Sequence, residues 1–175
     1  MFPSRAPTSR SIIAIDAVAT ARARVELADL AALHAFATRL ARLLRPGDLV
    51  ALEGALGAGK SELARAVIRA RAGAAIEVPS PTFTLVQRYP LPDLVITHAD
   101  LYRLGDPAEI DELGLDEALA EGALLVEWPE RAGDRLPADR LRLVLSEPAG
   151  GPPERRTILI EAGPSWRARL GELLP

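Results

Sequence analysis

Gly54-Ala55-Leu56-Gly57-Ala58-Gly59-Lys60-Ser61 fits the spacing G-x-x-x-x-G-K-[ST], the signature of a phosphate-binding P-loop. Glycines in such a loop let consecutive backbone N–H groups curl around phosphate oxygens, the lysine brings a compact ammonium, and the serine hydroxyl joins a magnesium ion. The chain has 175 residues, 21 of them basic, and Lys60 is the one lysine among arginines. A planar guanidinium is too wide to replace an ammonium between phosphate oxygens, which accounts for a lysine at just this position. The octet therefore predicts binding of a nucleoside triphosphate through Gly54, Leu56, Gly57, Ala58, Gly59, Lys60 and Ser61.

Hydrolysis asks for more: a carboxylate for the metal, a group that orients the nucleophile, and positive charge for the transition state. Two apolar runs end on acids. Ala123-Leu124-Leu125-Val126 leads to Glu127, in the manner of a Walker-B strand, and Leu94-Val95-Ile96-Thr97-His98-Ala99 leads to Asp100. Spacing leaves open which acid meets magnesium and which positions water, so Ser61, Glu127 and Asp100 are all candidate ligands and Lys60, Asp100 and Glu127 candidate catalytic residues. Thr82 and Thr84 are placed to touch the metal or the γ-phosphate, or to be ordinary strand threonines. Trp128 suits stacking on a base, docking a partner or filling the core. His98 suits support or catalysis, His34 a packed or partly exposed helix position, and Arg103 a phosphate contact. The chain has no asparagine and no second lysine, which rules out the N-K-x-D guanine signature, and Gln87 is its only glutamine. ATP is favoured over GTP.

The elements that must position these groups follow from hydrophobic period and capping. Arg24–Leu27 reads as a short strand, and Asp29 caps a helix through about Leu44. A turn at Arg45-Pro46-Gly47-Asp48 precedes a buried strand, Leu49–Leu52, which feeds the glycine loop; Ser61–Ala72 is then helical and stops at Gly73. This strand, loop and helix order is the setting the motif requires. Val78–Val86 is a Pro-punctuated loop entering a strand, Pro107–Ala120 is helical with a break at Gly114, and Leu141–Leu145 with Thr157–Ile160 form a hairpin. A short helix from Ser165 to Leu174 closes the chain. Strands alternating with helices, followed by a hairpin, predict an α/β, P-loop NTPase-like three-layer sandwich whose mixed sheet has a parallel core and antiparallel C-terminal strands. Ligands in such sheets gather at the carboxyl ends of the strands, which puts the P-loop, Asp100 and Glu127 on one rim.

Composition limits the alternatives. Apolar residues make up 49% and charged residues 26%, with no cysteine, which excludes disulfides and thiolate chemistry. A formal net charge of −3 lacks the basic footprint of a protein that grips a phosphate backbone. No apolar run approaches the ~18 residues that cross a bilayer, so no membrane partner is expected and the cytoplasm is the default location. Residues 1–24 carry four arginines against one acid, a composition like that of a transit peptide; a flexible extension is the plainer reading, with 25–175 as a single ATPase domain.

Together these blocks resemble the TsaE family, small bacterial P-loop ATPases of tRNA threonylcarbamoyladenosine biosynthesis. The resemblance rests on Leu56–Ser61, Ser80-Pro81-Thr82-Phe83-Thr84-Leu85-Val86, His98-Ala99-Asp100-Leu101-Tyr102-Arg103-Leu104 and Val126-Glu127-Trp128-Pro129, and spans about residues 25–160. It implies that the P-loop holds ATP, that Ser61 and Glu127 hold Mg2+, that Asp100 is a second essential acid near the γ-phosphate, and that Trp128 matters for function. It further implies weak ATPase activity alone, and work with the TsaB and TsaD proteins that modify adenosine 37 of tRNA, so that tRNA is met indirectly through the complex. Ala55 stands where the family has Asp, Ser61 where it has Thr, and Ala99 where it has an aromatic residue; the family's Glu/Thr pair by the first helix is replaced around Leu30–Leu33. Two other readings fit the residues: a metabolite kinase with Arg135, Arg140 and Arg142 as lid cations, and a nucleotide-dependent protein-binding switch.

Overall fold

The computed structural model describes residues 11–15, 20–148, 150 and 152–175. Among the described residues, eight strands form one mixed sheet: β1 (Ser11–Ile15), β2 (Ala21–Leu27), β3 (Leu49–Glu53), β4 (Val86–Pro90), β5 (Val95–Asp100), β6 (Ala123–Glu127), β7 (Leu141–Ser146) and β8 (Arg156–Ala162), in the spatial order β1-β2-β8-β7-β3-β6-β5-β4. The four central strands β7, β3, β6 and β5 run parallel, and antiparallel pairs flank them on both sides. The expected parallel core and antiparallel C-terminal hairpin are both present. Two further features emerge. β4 returns antiparallel to β5 through the turn at 91–94, and the N-terminal strand β2 adds beyond the hairpin, against β8, not beside β3.

The burial pattern explains the division of the sheet. β3 and β6 are apolar and buried on both faces, as parallel strands between helical layers must be. β2 alternates buried and exposed residues and β7 buried and half-buried ones, the mark of a sheet with one face toward water. On one face, α1 (Leu30–Leu43) and α2 (Lys60–Ala72) cover the sheet. Leu33, Phe36, Ala37, Leu40 and Ala41 of α1 recur at helical spacing on its buried side, and the Asp29 carboxylate caps its start by accepting from Ala32 N at 2.8 Å. On the other face, α3 (Leu115–Glu121) and the 3₁₀ turns at Pro107–Glu112 and Pro129–Ala132 enclose a smaller core around Leu49, Leu101, Leu124 and Val126. The break expected at Gly114 is real: its φ of 65° separates the first 3₁₀ turn from α3.

Part of the segment read as an N-terminal extension, residues 1–24, lies in the sheet. Residues 21–24 belong to β2 and pair with β8 from Ala21↔Ala162 onward, and Ser11–Ile15 pair with β2 in turn. Positions 1–10 and 16–19 lie outside the described residues. The first strand starts earlier than its apolar pattern suggested because alternate residues, Arg22 and Arg24, face water while Ala23 and Val25 face the core.

The C-terminal segment, a 3₁₀ turn at Pro164–Arg169 followed by α4 (Leu170–Leu173), is anchored to the turn that launches β3. Arg169 forks onto both carboxylate oxygens of Asp48 at 2.7 and 2.8 Å, and its guanidinium lies 3.9 Å from the fully buried Trp166 ring. Both partners are nearly sequestered from water, so either one alone would be an unpaired buried charge. Asp48→Ala is expected to lower the unfolding free energy by about 3–5 kcal/mol, the usual cost of breaking a buried pair from one side. Urea denaturation measures it; an unchanged midpoint would show the pair to be dispensable.

Candidate functional site

The site is assembled by register. Asp100 and Glu127 are direct partners at the ends of adjacent parallel strands, so both emerge at the carboxyl rim of the sheet. Ile96 and Leu125 pack in the core beneath α1 and α2. By the two-residue period of a strand, His98, Asp100 and Glu127 turn toward that same side. There β3 ends and the glycine loop begins. Gly54 adopts φ 136°, and a Cβ on it would come within 2.3 Å of the Leu145 carbonyl oxygen, so only glycine fits. α2 starts from Gly59 in the left-handed conformation with no side chain capping its first N–H groups. Such an uncapped start leaves donors and the positive end of the helix dipole for an anion.

Lys60 is 4% exposed. Its ammonium donates to the Gly54 and Ala55 carbonyls at 2.6 and 2.9 Å, and lies 3.9 Å from the centroid of the Trp128 ring. Burial holds its pKa below the ordinary lysine value, against the opposing pull of Glu127, Glu130 and Asp100. The two acids are each satisfied by hydrogen bonds from groups other than Lys60. Ser61 Oγ donates to Glu127 Oε2 at 2.8 Å, and His98 Nε2 meets Glu127 Oε1 at 2.8 Å. A carboxylate only accepts, so Nε2 carries the proton that faces it. Asp100 accepts from Thr82 Oγ1 at 2.7 Å and from the Tyr102 backbone N–H at 3.0 Å, while the Ser80 hydroxyl lies 2.8 Å from that of Thr82. The described residues hold two non-glycine positions with positive φ, and each adjoins one of these acids. Trp128, at 56°, follows Glu127, and Leu85, at 62°, accepts through its carbonyl from Asp100 N at 2.9 Å. Such conformations cost roughly 1–3 kcal/mol each and cluster where function dictates geometry.

These groups line a cleft of about 360 Å³. Of the residues expected at the site, Leu56, Gly57, Gly59, Lys60, Ser61, Thr82, Asp100, Glu127 and Trp128 line it, while Gly54 and Ala58 shape the loop from behind. Thr84 does not join them: it is exposed in the turn at 81–84. Arg103 stacks on the exposed Phe83 ring at 4.4 Å and is absent from the cleft wall. Tyr102, Glu62 and Arg65 are lining residues the sequence reading did not single out. Tyr102 sits two residues past Asp100, with its ring 5.0 Å from that of Trp128. Glu62 and Arg65 form an ion pair at 3.0 Å on the first turn of α2. Burial alone would raise the Glu62 carboxyl, but hydrogen bonds from His34 and Arg65 bring it below the usual range. His34 is the half-exposed helix residue expected, with Nε2 3.2 Å from Glu62.

Among the described residues no three His, Asp or Glu side chains gather into a cage for a metal ion. Ser61, Glu127, Thr82 and Asp100 instead offer a sparse set of hard oxygens. That suits a small divalent cation that completes its shell with water and phosphate oxygens.

Residues 27–157 match the family model described as "Threonylcarbamoyl adenosine biosynthesis protein TsaE". The chain is similar to a protein from Rickettsia bellii named tRNA threonylcarbamoyladenosine biosynthesis protein TsaE, at 43% identity over 110 residues, covering 63% of this chain and 76% of that protein. A protein of the same name from Bacillus subtilis is 36% identical over 140 residues, covering 79% and 85%. Among solved structures, Bacillus subtilis YdiB superposes with a TM-score of 0.74 at 29% identity, over 88% of this chain and 95% of that one.

The His98–Glu127 hydrogen bond is the most buried polar contact at the rim, with side chains 0% and 2% exposed. Removing the imidazole leaves Glu127 Oε1 without a donor. His98→Ala is expected to cost about 1–3 kcal/mol of stability, the penalty for orphaning a buried acceptor. Chemical denaturation tests this, and an unaltered midpoint would mean that water serves Glu127 equally well.

Proposed function

The chain belongs to the TsaE family of threonylcarbamoyl adenosine biosynthesis proteins, and on that premise we propose that it binds and hydrolyses ATP with Mg2+ as a subunit of the cytoplasmic machinery that installs threonylcarbamoyl on adenosine 37 of tRNA. One observation carries the proposal. The ammonium of Lys60, the free start of α2, the Ser61–Glu127 contact and Asp100 all face one cleft. That is the set of parts phosphoryl transfer to water needs.

In this reading the N–H groups of the glycine loop and the start of α2 cradle the β- and γ-phosphates, and Lys60 exchanges its carbonyl partners for phosphate oxygens. Ser61 and Glu127 hold magnesium, with Asp100 as the other carboxylate of the set. Magnesium bound there would supply positive charge against the phosphates. His98 holds the Glu127 carboxylate turned toward Ser61. Asp100, kept in place by Thr82 and the Tyr102 N–H, orients the attacking water; the water oxygen bonds to the γ-phosphorus as the bond to the β–γ bridging oxygen breaks, and the water's protons pass to the released phosphate and to solvent, leaving ADP and phosphate.

Slow turnover by the chain alone follows from the supply of positive charge. Among the described residues, Arg65 is the one cationic residue besides Lys60 that lines the cleft, and it is paired with Glu62. P-loop enzymes of this type gain several orders of magnitude when an arginine arrives in cis or trans. The proposed partners, TsaB and TsaD, are where such help would originate. The kinase reading loses its lid: Arg135 is bound to Asp111, Arg140 to the Pro137 carbonyl, and Arg142 to Glu53 and Glu161.

Two outcomes test this. ATP hydrolysis by the purified chain is expected to be slow and to rise when cognate TsaB and TsaD are added; turnover indifferent to both would remove the assignment to that complex. Glu127→Ala is expected to lower hydrolysis at least about a hundredfold, the scale of losing one electrostatic partner of the transition state, while ATP affinity by calorimetry changes far less. Full turnover in that variant would take Glu127 out of the site.

A further inference from the structure

The P-loop has an outer wall as well as an inner one. A Cβ at Gly59 would lie 3.7 Å from Arg156 Nε, 3.8 Å from Leu145 Cδ2 and 4.0 Å from Leu33 Cδ1. Arg156, the first residue of β8, donates from Nε to the Ala58 carbonyl at 3.0 Å, reaching across 98 positions of sequence. Its other nitrogens are anchored as well. Nη1 donates to the Pro153 and Arg155 carbonyls at 2.5 and 2.9 Å, and Nη2 lies 3.3 Å from Glu147 Oε1. The guanidinium is therefore a fixed post, its side chain 16% exposed, and not a mobile surface cation.

The described peptide bonds are all trans. In a planar trans peptide the C=O and the following N–H point in opposite directions. Arg156 holds the Ala58 carbonyl, so the N–H of Gly59 points away from Arg156, and Gly59 itself lines the cleft. Gly59 has no Cβ and sits at φ 102°, so nothing intrinsic to the residue prevents this peptide from turning over. A turned peptide would present a carbonyl oxygen to phosphate in place of a donor. We propose that Arg156 is a positioning residue of the nucleotide site: it locks the Ala58–Gly59 peptide with its N–H directed at the phosphates. The proposal rests on the nucleotide-binding reading above and extends the site to the β7–β8 hairpin, whose strand ends already enforce glycine at position 54 through the Leu145 carbonyl.

Calorimetric titration of ATP and ADP in the presence of magnesium, on the full chain and three variants, tests it. Arg156→Met keeps an aliphatic stem but removes every donor; Arg156→Ala removes both stem and donors; Arg156→Lys restores a single donor. Arg156→Met is expected to bind both nucleotides about tenfold more weakly, equivalent to 1.4 kcal/mol, with a melting temperature close to that of the wild type. Arg156→Lys should recover part of the loss, and the backbone amide resonance of Gly59 should shift in Arg156→Met before any nucleotide is added. Wild-type affinity in both Arg156→Met and Arg156→Ala, or an unmoved Gly59 amide, would overturn the proposal. So would failure of both variants to fold, because the contact would then serve the fold alone. A wild-type chain that binds neither nucleotide would instead defeat the underlying reading, and the proposal with it.

Discussion

An ammonium and two carboxylates share one buried rim, and the fold keeps them from pairing with one another. Among the described residues Lys60 makes no salt bridge: its hydrogen bonds go to Gly54 and Ala55 carbonyls, and its open side is covered by Trp128. Glu127 is held by Ser61 and His98, Asp100 by Thr82 and a backbone N–H. Three desolvated charges in a low-dielectric cleft would otherwise collapse into direct ion pairs, and a collapsed pair offers nothing to a phosphate or a cation. Separate hydrogen-bond partners solve this. They satisfy each charge with dipoles that stay in place, while the net field of the site remains available to a ligand that carries both signs, such as a metal-bound polyphosphate.

That arrangement explains the division of labour within the sheet. The parallel strands β3, β6 and β5 end together at the rim and deliver the loop, Glu127 and Asp100. The antiparallel half, β7, β8 and β2, contributes no cleft-lining side chain, yet it forms the back of the glycine loop through Leu145 and Arg156. β7 belongs to both halves, parallel to β3 and antiparallel to β8, and so ties the wall to the floor. Backbone strain sits where those demands meet, at Trp128 and Leu85, each next to an acid whose direction it helps to set.

Much of this was legible along the chain because parallel strands must be apolar on both faces, and a charge at the end of such a run is conspicuous. The loop, both acids, the helix start at Asp29 and the break at Gly114 follow from local rules of turn, cap and period. What escaped depends on distance in sequence. Nothing local says that β2 lies beyond β8, that β4 folds back as an edge strand, or that His98 reaches Glu127 across 29 positions. Thr82 and Thr84 are equivalent in type, and only the turn at 81–84 turns one inward and leaves the other in water. Arg156 was invisible for a plainer reason: in a chain whose cations are nearly all arginine, composition cannot mark the one that holds the loop.

The lone lysine has a consequence for covalent chemistry. Lys60 is the only side-chain amine in the protein and is almost entirely enclosed. The remaining cationic side chains apart from histidine are guanidinium groups, which keep their charge well past the pH at which amines lose theirs. Acylating reagents and acyl-transferring enzymes that seek lysine therefore meet a surface with no lysine target among its side chains. The one amine they would have to reach stands inside the phosphate loop, so any such modification would be a modification of the site itself.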